Sequence, residues 1–204
     1  MTTATLTHNT LAQALWPTGA RSDGALSPAL RAVLLAVAGS LLLTLSAKVQ
    51  IPMWPVPMTM QTFAVLVIGA AYGWKLGGAT VALYLAEGAM GLPVFANTPE
   101  RGIGLAYMMG PTGGYLMGFM ASAMVLGWLA ERGWDRSIGG TLAGMTLGTA
   151  LIFGLGFAYL STLIGAEAAW TAGVMPFLLG AALKIALAAA VLPLAWRLVS
   201  RRAR

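Results

Sequence analysis

Two ionisable side chains stand within or beside long apolar runs, and they define the chemistry open to this chain. Lys184 lies in FLLGAALKIALAAAVLP, too far from the basic carboxyl terminus to act simply as an end anchor. An ammonium in apolar surroundings is costly unless paired, so such a lysine marks a ligand or ion pathway unless it snorkels to an interface. No acid lies within a helical turn of it on its own run, which leaves Glu87, a backbone carbonyl, water or an anionic ligand as its partner. Glu87 sits near the end of another run and reads either as a site carboxylate or as a solvated interfacial one.

Catalytic constellations of the common kinds are missing. There is no HExxH, no GxSxG and no Walker A sequence, and the carboxylates are few and scattered. The chain therefore lacks the usual means of hydrolysing nucleotide, and any use of ATP requires a partner. It has no cysteine, which excludes thiolate metal sites and disulfides, and its one histidine, His8, lies in a polar amino-terminal tail. No cofactor is expected.

Around these side chains, 58% of the 204 residues are hydrophobic and 9% are charged, so lipid is the solvent for most of the length. The net charge of +6 collects at the ends of apolar runs, where membrane orientation accounts for it and nucleic-acid binding does not. The tail before Ala29 contains Arg21, Ser22 and Asp23 and lacks the pattern of a cleavable signal peptide, so the first helix is expected to remain as an anchor.

Apolar runs fall at about 29–47, 58–72, 75–92, 110–130, 138–164 and 172–198, which predicts six transmembrane helices in one domain (29–204) behind a 1–28 tail. Tyr72-Gly73-Trp74-Lys75 leaves room only for a tight turn between the second and third, and the alternative is a broken hairpin that does not fully cross. With six crossings, one side receives Arg21, Arg31, Lys75, Arg132, Arg136, Arg197, Arg201, Arg202 and Arg204, and the other receives Lys48 and Arg101. That asymmetry predicts cytoplasmic termini in a multi-pass protein of the cytoplasmic (inner) membrane.

Two loops are then expected on the outer face. Lys48–Thr62, KVQIPMWPVPMTMQT, carries Pro52, Pro55 and Pro57, which predicts an extended segment that neither continues a helix nor pairs in a sheet. Its apolar side chains, Trp54 among them, fit either a turn packed on neighbouring helices or a lid over a cavity. The second, between the third and fourth helices, mixes Asn97, Thr98, Glu100 and Arg101 with aromatics, as a partly buried binding loop would. Gly113-Gly114 opens a helix after Pro111-Thr112, either for chain reversal or to offer free amides to a carboxylate or carbonyl. Tyr107 and Tyr115 read as site residues or as interfacial anchors. Gly140, Gly144 and Gly148, and Gly69, Gly73 and Gly77, are spaced for close helix packing. Ala32, Ala36 and Ser40 form a third small-residue ridge, suited either to internal packing or to another membrane subunit.

Taken together, KVQIPMWPVPMTMQT, GLPVFA from Gly91, GPTGGYLMGF from Gly110 and PFLLGAALK from Pro176 resemble the BioY family, the S components of energy-coupling factor (ECF) transporters that import biotin. The resemblance implies a six-helix S-component fold, a biotin pocket near the outer face, and docking onto a transmembrane coupling subunit that carries two ATPases. It gives Ala32 and Ala36 to that coupling subunit, and it leaves open that the chain also works alone. The resemblance gives Lys184 to the ligand site, and the reading of the residues adds Asn97, Arg101, Tyr107, Tyr115, Glu87 and Trp54 as candidates. One departure stands out: the family usually reads Gly-Asp-x-x-Lys in the last helix, and this chain has Ala181 at the Asp position between Gly180 and Lys184. An acid there would accept from the ureido N–H groups, so either another acceptor takes over, with Asn97 or Glu87 the first to test, or affinity is expected to be lower than the family norm. The competing readings are an S component for another small vitamin and a membrane-embedded enzyme acting on a lipid; the lack of clustered Asp, His or Cys speaks against the latter.

Overall fold

A computed structural model describes residues 9–16 and 27–202, with side chains to residue 199. His8, the Arg21-Ser22-Asp23 run and Arg204 lie outside the described residues, as do the side chains of Arg201 and Arg202. The helices are α1 (Leu11–Leu15), α2 (Pro28–Lys48), α3 (Gln61–Ala89), α4 (Gly104–Met108), α5 (Gly113–Ala130), α6 (Ile138–Ile164), α7 (Ala166–Gly173) and α8 (Leu178–Arg202). Single 3-10 turns precede α6 (Trp134–Arg136) and α8 (Met175–Phe177). Among the described residues, five helical segments are long and apolar enough to cross a membrane.

One of the five, α3, is bent back on itself. Gly73 has φ 82° and ψ 172°, a conformation closed to residues with a Cβ, and it reverses the helix axis. Gln61 Nε2 lies 2.5 Å from the Tyr84 hydroxyl, and a Cβ on Gly77 would sit 3.1 Å from Gly69 Cα, so residues at nearly matching distances before and after Gly73 face one another. The arms 61–72 and 74–89 are the expected second and third helices, joined by the expected tight turn. The chain thus makes six passes between the two ends of the molecule, although each arm is short, at roughly 18 and 24 Å for ~1.5 Å per residue.

Charge divides between the two ends as the sequence predicts. One end carries the hairpin tip, the α5–α6 turn and the close of α8, tied by Glu131 accepting from Trp74 N (3.2 Å) and by Trp196 Nε1 donating to Asp135 (2.6 Å). Arg31, Lys75, Arg132, Arg136 and Arg197 belong to it. Lys48 and Arg101 belong to the other end, where both long loops meet. The amino-terminal tail is not wholly detached: α1 buries Leu11 and accepts from Arg31 Nη2 through Ala12 O at 2.7 Å.

The glycine ridges serve internal packing. A Cβ on Gly69 would lie 2.7 Å from the Ala123 carbonyl of α5, and one on Gly148 would press on Leu126 and Leu66. The third ridge turns inward at its far end, where Ser40 is buried against α3 and donates to Glu87, while Ala32 and Ala36 are only partly covered. The remaining face of α2 exposes Leu30, Val33, Leu34, Val37 and Leu41.

Candidate functional site

The proline segment after Lys48 is not free of sheet pairing, contrary to the expectation from its prolines. Strands β1 (Gln50–Ile51) and β2 (Met58–Thr59) pair antiparallel, with Gln50 opposite Thr59 and Ile51 opposite Met58. All four pairing residues have an N–H to give, and Pro52, Pro55 and Pro57 fall in the bend between them. The bend is therefore held shut at its base, and it buries Pro55, Val56 and Pro57 while Trp54 is 74% exposed.

Beneath this bend lies a cavity that is partly open to solvent. The bend contributes Val56, Pro57 and Thr59; the start of α3 contributes Gln61, Thr62 and Leu66. The second loop and α4 supply Phe95, Ala96 and Tyr107, and α5 supplies Tyr115, Leu116 and Phe119 below Thr112. Thr149, Ile152 and Phe153 of α6, Phe177, and Ala181 and Lys184 of α8 complete the wall. The bend is thus a lid over a cavity, the second of the two readings its composition allows.

Among the described residues, Lys184 is the one cation in this wall. Its Nζ donates to Thr59 O at 2.5 Å and to Thr62 Oγ1 at 2.9 Å, which ties α8 to the base of the lid. Of the partners the sequence leaves open, the protein supplies a backbone carbonyl and a hydroxyl, and no carboxylate faces the ammonium. Ala181 lies one helical turn away in the same wall, and among the described residues no acid lines the cavity.

Tyr107 and Tyr115 are 8% and 6% exposed, so neither is an interfacial anchor. Tyr107 stacks on Phe95, with ring centroids 4.9 Å apart, and burial raises its pKa against the opposing pull of a Thr112 hydrogen bond and the Arg101 charge. The Tyr115 hydroxyl donates to Gly173 O at 2.6 Å, which leaves its ring as the surface offered to the cavity. Arg101 and Trp54 do not reach the inner wall. They line an adjoining outer cavity that shares Pro57, Tyr107 and Thr112 with the inner one, and Arg101 Nη1 donates to Pro55 O at 3.2 Å.

The two residues expected to replace the missing acid are elsewhere. Glu87 faces α2, where its carboxylate accepts from Ser40 Oγ, and Asn97 Oδ1 accepts from Gln50 Nε2 at 2.7 Å; neither lines the inner cavity. Both are held by chain neighbours distant in sequence, which is why their polarity alone suggested a ligand role. In their place the cavity offers the hydroxyls of Thr62, Thr112 and Thr149 and the amide of Gln61, none singled out by sequence reasoning apart from Thr112 in its glycine turn. Thr149 precedes Ile152 and Phe153 at helical spacing, but α6 also carries Thr141, Thr146 and Thr162, so spacing alone does not single it out. The glycine pair opening α5 meets close neighbours: a Cβ on Gly113 would overlap Met108 O, and one on Gly114 would overlap Leu155 O.

Comparison with known proteins agrees with this architecture. The chain is 38% identical over 151 residues to the biotin transporter BioY of Thermotoga maritima, covering 74% of this chain and 86% of that one. It is 33% identical over 147 residues to the probable biotin transporter BioY of Pyrococcus horikoshii, covering 72% and 85%. The crystal structure of the S-component for biotin from an ECF-type ABC transporter superposes with a TM-score of 0.73 at 21% identity, over 85% of this chain and 95% of that one. The fold is accordingly that of an ECF S component, a helical integral membrane protein. The BioY family profile matches residues 16–201, reaching into the tail that the sequence motifs leave out, and with these relatives it shows that the chain belongs to the BioY family.

Proposed function

We propose that this protein is the substrate-binding membrane subunit of a biotin uptake system, a transport protein rather than an enzyme. The observation that carries this reading is the lidded cavity with aromatic walls and a single ammonium, in a chain whose relatives are named biotin transporters. The apolar wall suits the ring system and alkyl chain of biotin, Lys184 suits its carboxylate, and the threonine hydroxyls suit its ureido group. Mass spectrometry of ligand retained by the purified protein, followed by radiolabelled biotin accumulation with and without co-expressed coupling subunits, tests it. Retention of a different vitamin would overturn the substrate, and turnover of a lipid would overturn the class.

Transport in this reading draws on a transmembrane coupling subunit with two ATPases, met through Ala32 and Ala36, with solitary uptake as the other mode. Ala36→Leu is expected to impair coupled uptake several-fold while leaving biotin affinity nearly unchanged, because a large side chain holds apart a close helix contact. Equal loss of binding and uptake would assign the ridge wholly to internal packing.

Orientation follows from the charge division: the basic end faces the cytoplasm with both termini, and the lid faces outward across the cytoplasmic membrane. Since the natural chain has no cysteine, single replacements report cleanly. Trp54→Cys is expected to react with an impermeant maleimide from outside and Lys75→Cys from inside only, and the reverse pattern would invert the topology.

A further inference from the structure

Lys48 closes α2 at the lid end, and its ammonium does not reach the inner cavity. Nζ donates to Phe95 O at 2.9 Å, and to Thr98 O and Thr98 Oγ1, both at 3.1 Å. Thr98 Oγ1 in turn donates to Phe95 O at 2.6 Å. The Phe95 side chain so held is 1% exposed, stacks on Tyr107, and meets Tyr84 edge-on at 5.4 Å between centroids. Its ring fits because Gly88 of α3 has no Cβ; a Cβ there would overlap it. Phe95, on the second loop, and Tyr107, on α4, are both cavity wall. Gln50–Asn97 and Arg101–Pro55 cross between the same two loops, but neither reaches Phe95.

We infer that Lys48 is a positioning residue for ligand retention: by clamping the carbonyls of residues 95 and 98 to the end of α2, it holds the Phe95 ring against Tyr107 as the outer wall of the cavity. No carboxylate shares its ammonium among the described hydrogen bonds, so the clamp depends on the three oxygens of the loop. This inference rests on the ligand occupying the inner cavity, and its test separates the two.

Biotin association and dissociation rates are measured by stopped flow on the purified protein, together with amide hydrogen exchange of residues 92–103 without ligand. Lys48→Met is expected to raise the dissociation rate roughly tenfold, the low end of the worth of charged hydrogen bonds because the lysine itself is exposed, and to speed exchange across that loop, with α5 and α6 protected as in the natural protein. Lys48→Arg, which keeps a cationic donor, is expected to stay within about threefold in dissociation rate. Should Lys48→Met fail to fold, Thr98→Val removes one acceptor and the Thr98–Phe95 bond and is expected to shift both readouts the same way by a smaller factor. Natural dissociation and exchange rates in Lys48→Met, or in Thr98→Val where that serves instead, would overturn the inference, as would equal acceleration in Lys48→Arg. Failure of the natural protein to bind biotin would overturn the ligand reading, and loop exchange in the ligand-free variants would still decide whether Lys48 holds Phe95.

Discussion

Lys184→Met is expected to weaken biotin binding by tens to thousands of fold, the range that follows from losing one partner of a desolvated charge pair at about 2–5 kcal/mol. The fall in affinity alone does not identify the partner, because Lys184 also donates to Thr59 O and Thr62 Oγ1 and so fastens α8 to the base of the lid. A double-mutant cycle separates the roles. Replacing the biotin carboxylate by a neutral amide should weaken binding to the natural protein and make little further difference to Lys184→Met. Equal losses in both backgrounds, measured by isothermal titration, would assign Lys184 to the lid alone and pass the carboxylate to Arg101, the cation of the outer cavity.

The second large effect is expected at Gly73, where the hairpin turns. Gly73→Ala places a Cβ in a backbone conformation that costs about 1–3 kcal/mol by itself, and the new methyl would also sit 2.5 Å from Glu131 Oε1 and 2.9 Å from Thr10 Cγ2. Loss of the reversal would part Gly69 from Gly77 and Gln61 from Tyr84 together. The expected result is a sharp drop in the yield of monodisperse protein and in the thermal midpoint of what remains. Gly133→Ala is the control. It too has a positive φ, of 85°, but with ψ 12° it lies in the ordinary left-handed region, and the nearest neighbour to a new Cβ is the flexible Arg136 side chain at 3.6 Å. About 1 kcal/mol is expected there, and equal damage at both positions would remove the hairpin from the explanation.

The helical runs, the tight turn at Tyr72–Lys75, the meeting of the two loops and the division of charge were legible because each has a cause local to its own stretch. Lys184 was legible because a charge in an apolar run is costly anywhere it stands. The inner wall was not. In a lipid-facing bundle the outer surface is as apolar as the core, so α6 exposes Leu147 and Leu155 while it turns Ile152 and Phe153 inward, and no polar stripe marks the difference. The roles of Glu87 and Asn97 were hidden for another reason. Ser40 and Gln50, which hold them, are each 47 residues away, and only the fold brings them together. The short β1–β2 ladder escaped notice because three prolines in fifteen residues outweigh four pairing positions in any local reading.

The shortness of the hairpin arms bears on the membrane itself. Gln61 and Thr62 stand in the cavity wall, and from there the first arm runs only about 18 Å to the turn at Gly73, against a hydrocarbon layer of about 30 Å. The longer helices do cross, α2 with 21 residues and α6 with 27, so the short arm sets the cavity down inside the bundle, level with Thr149 and Ile152 near the middle of α6. A ligand under the lid therefore has only about 18 Å of packed hairpin between it and the basic end, so the step that remains for it is a parting of helices inside the bundle.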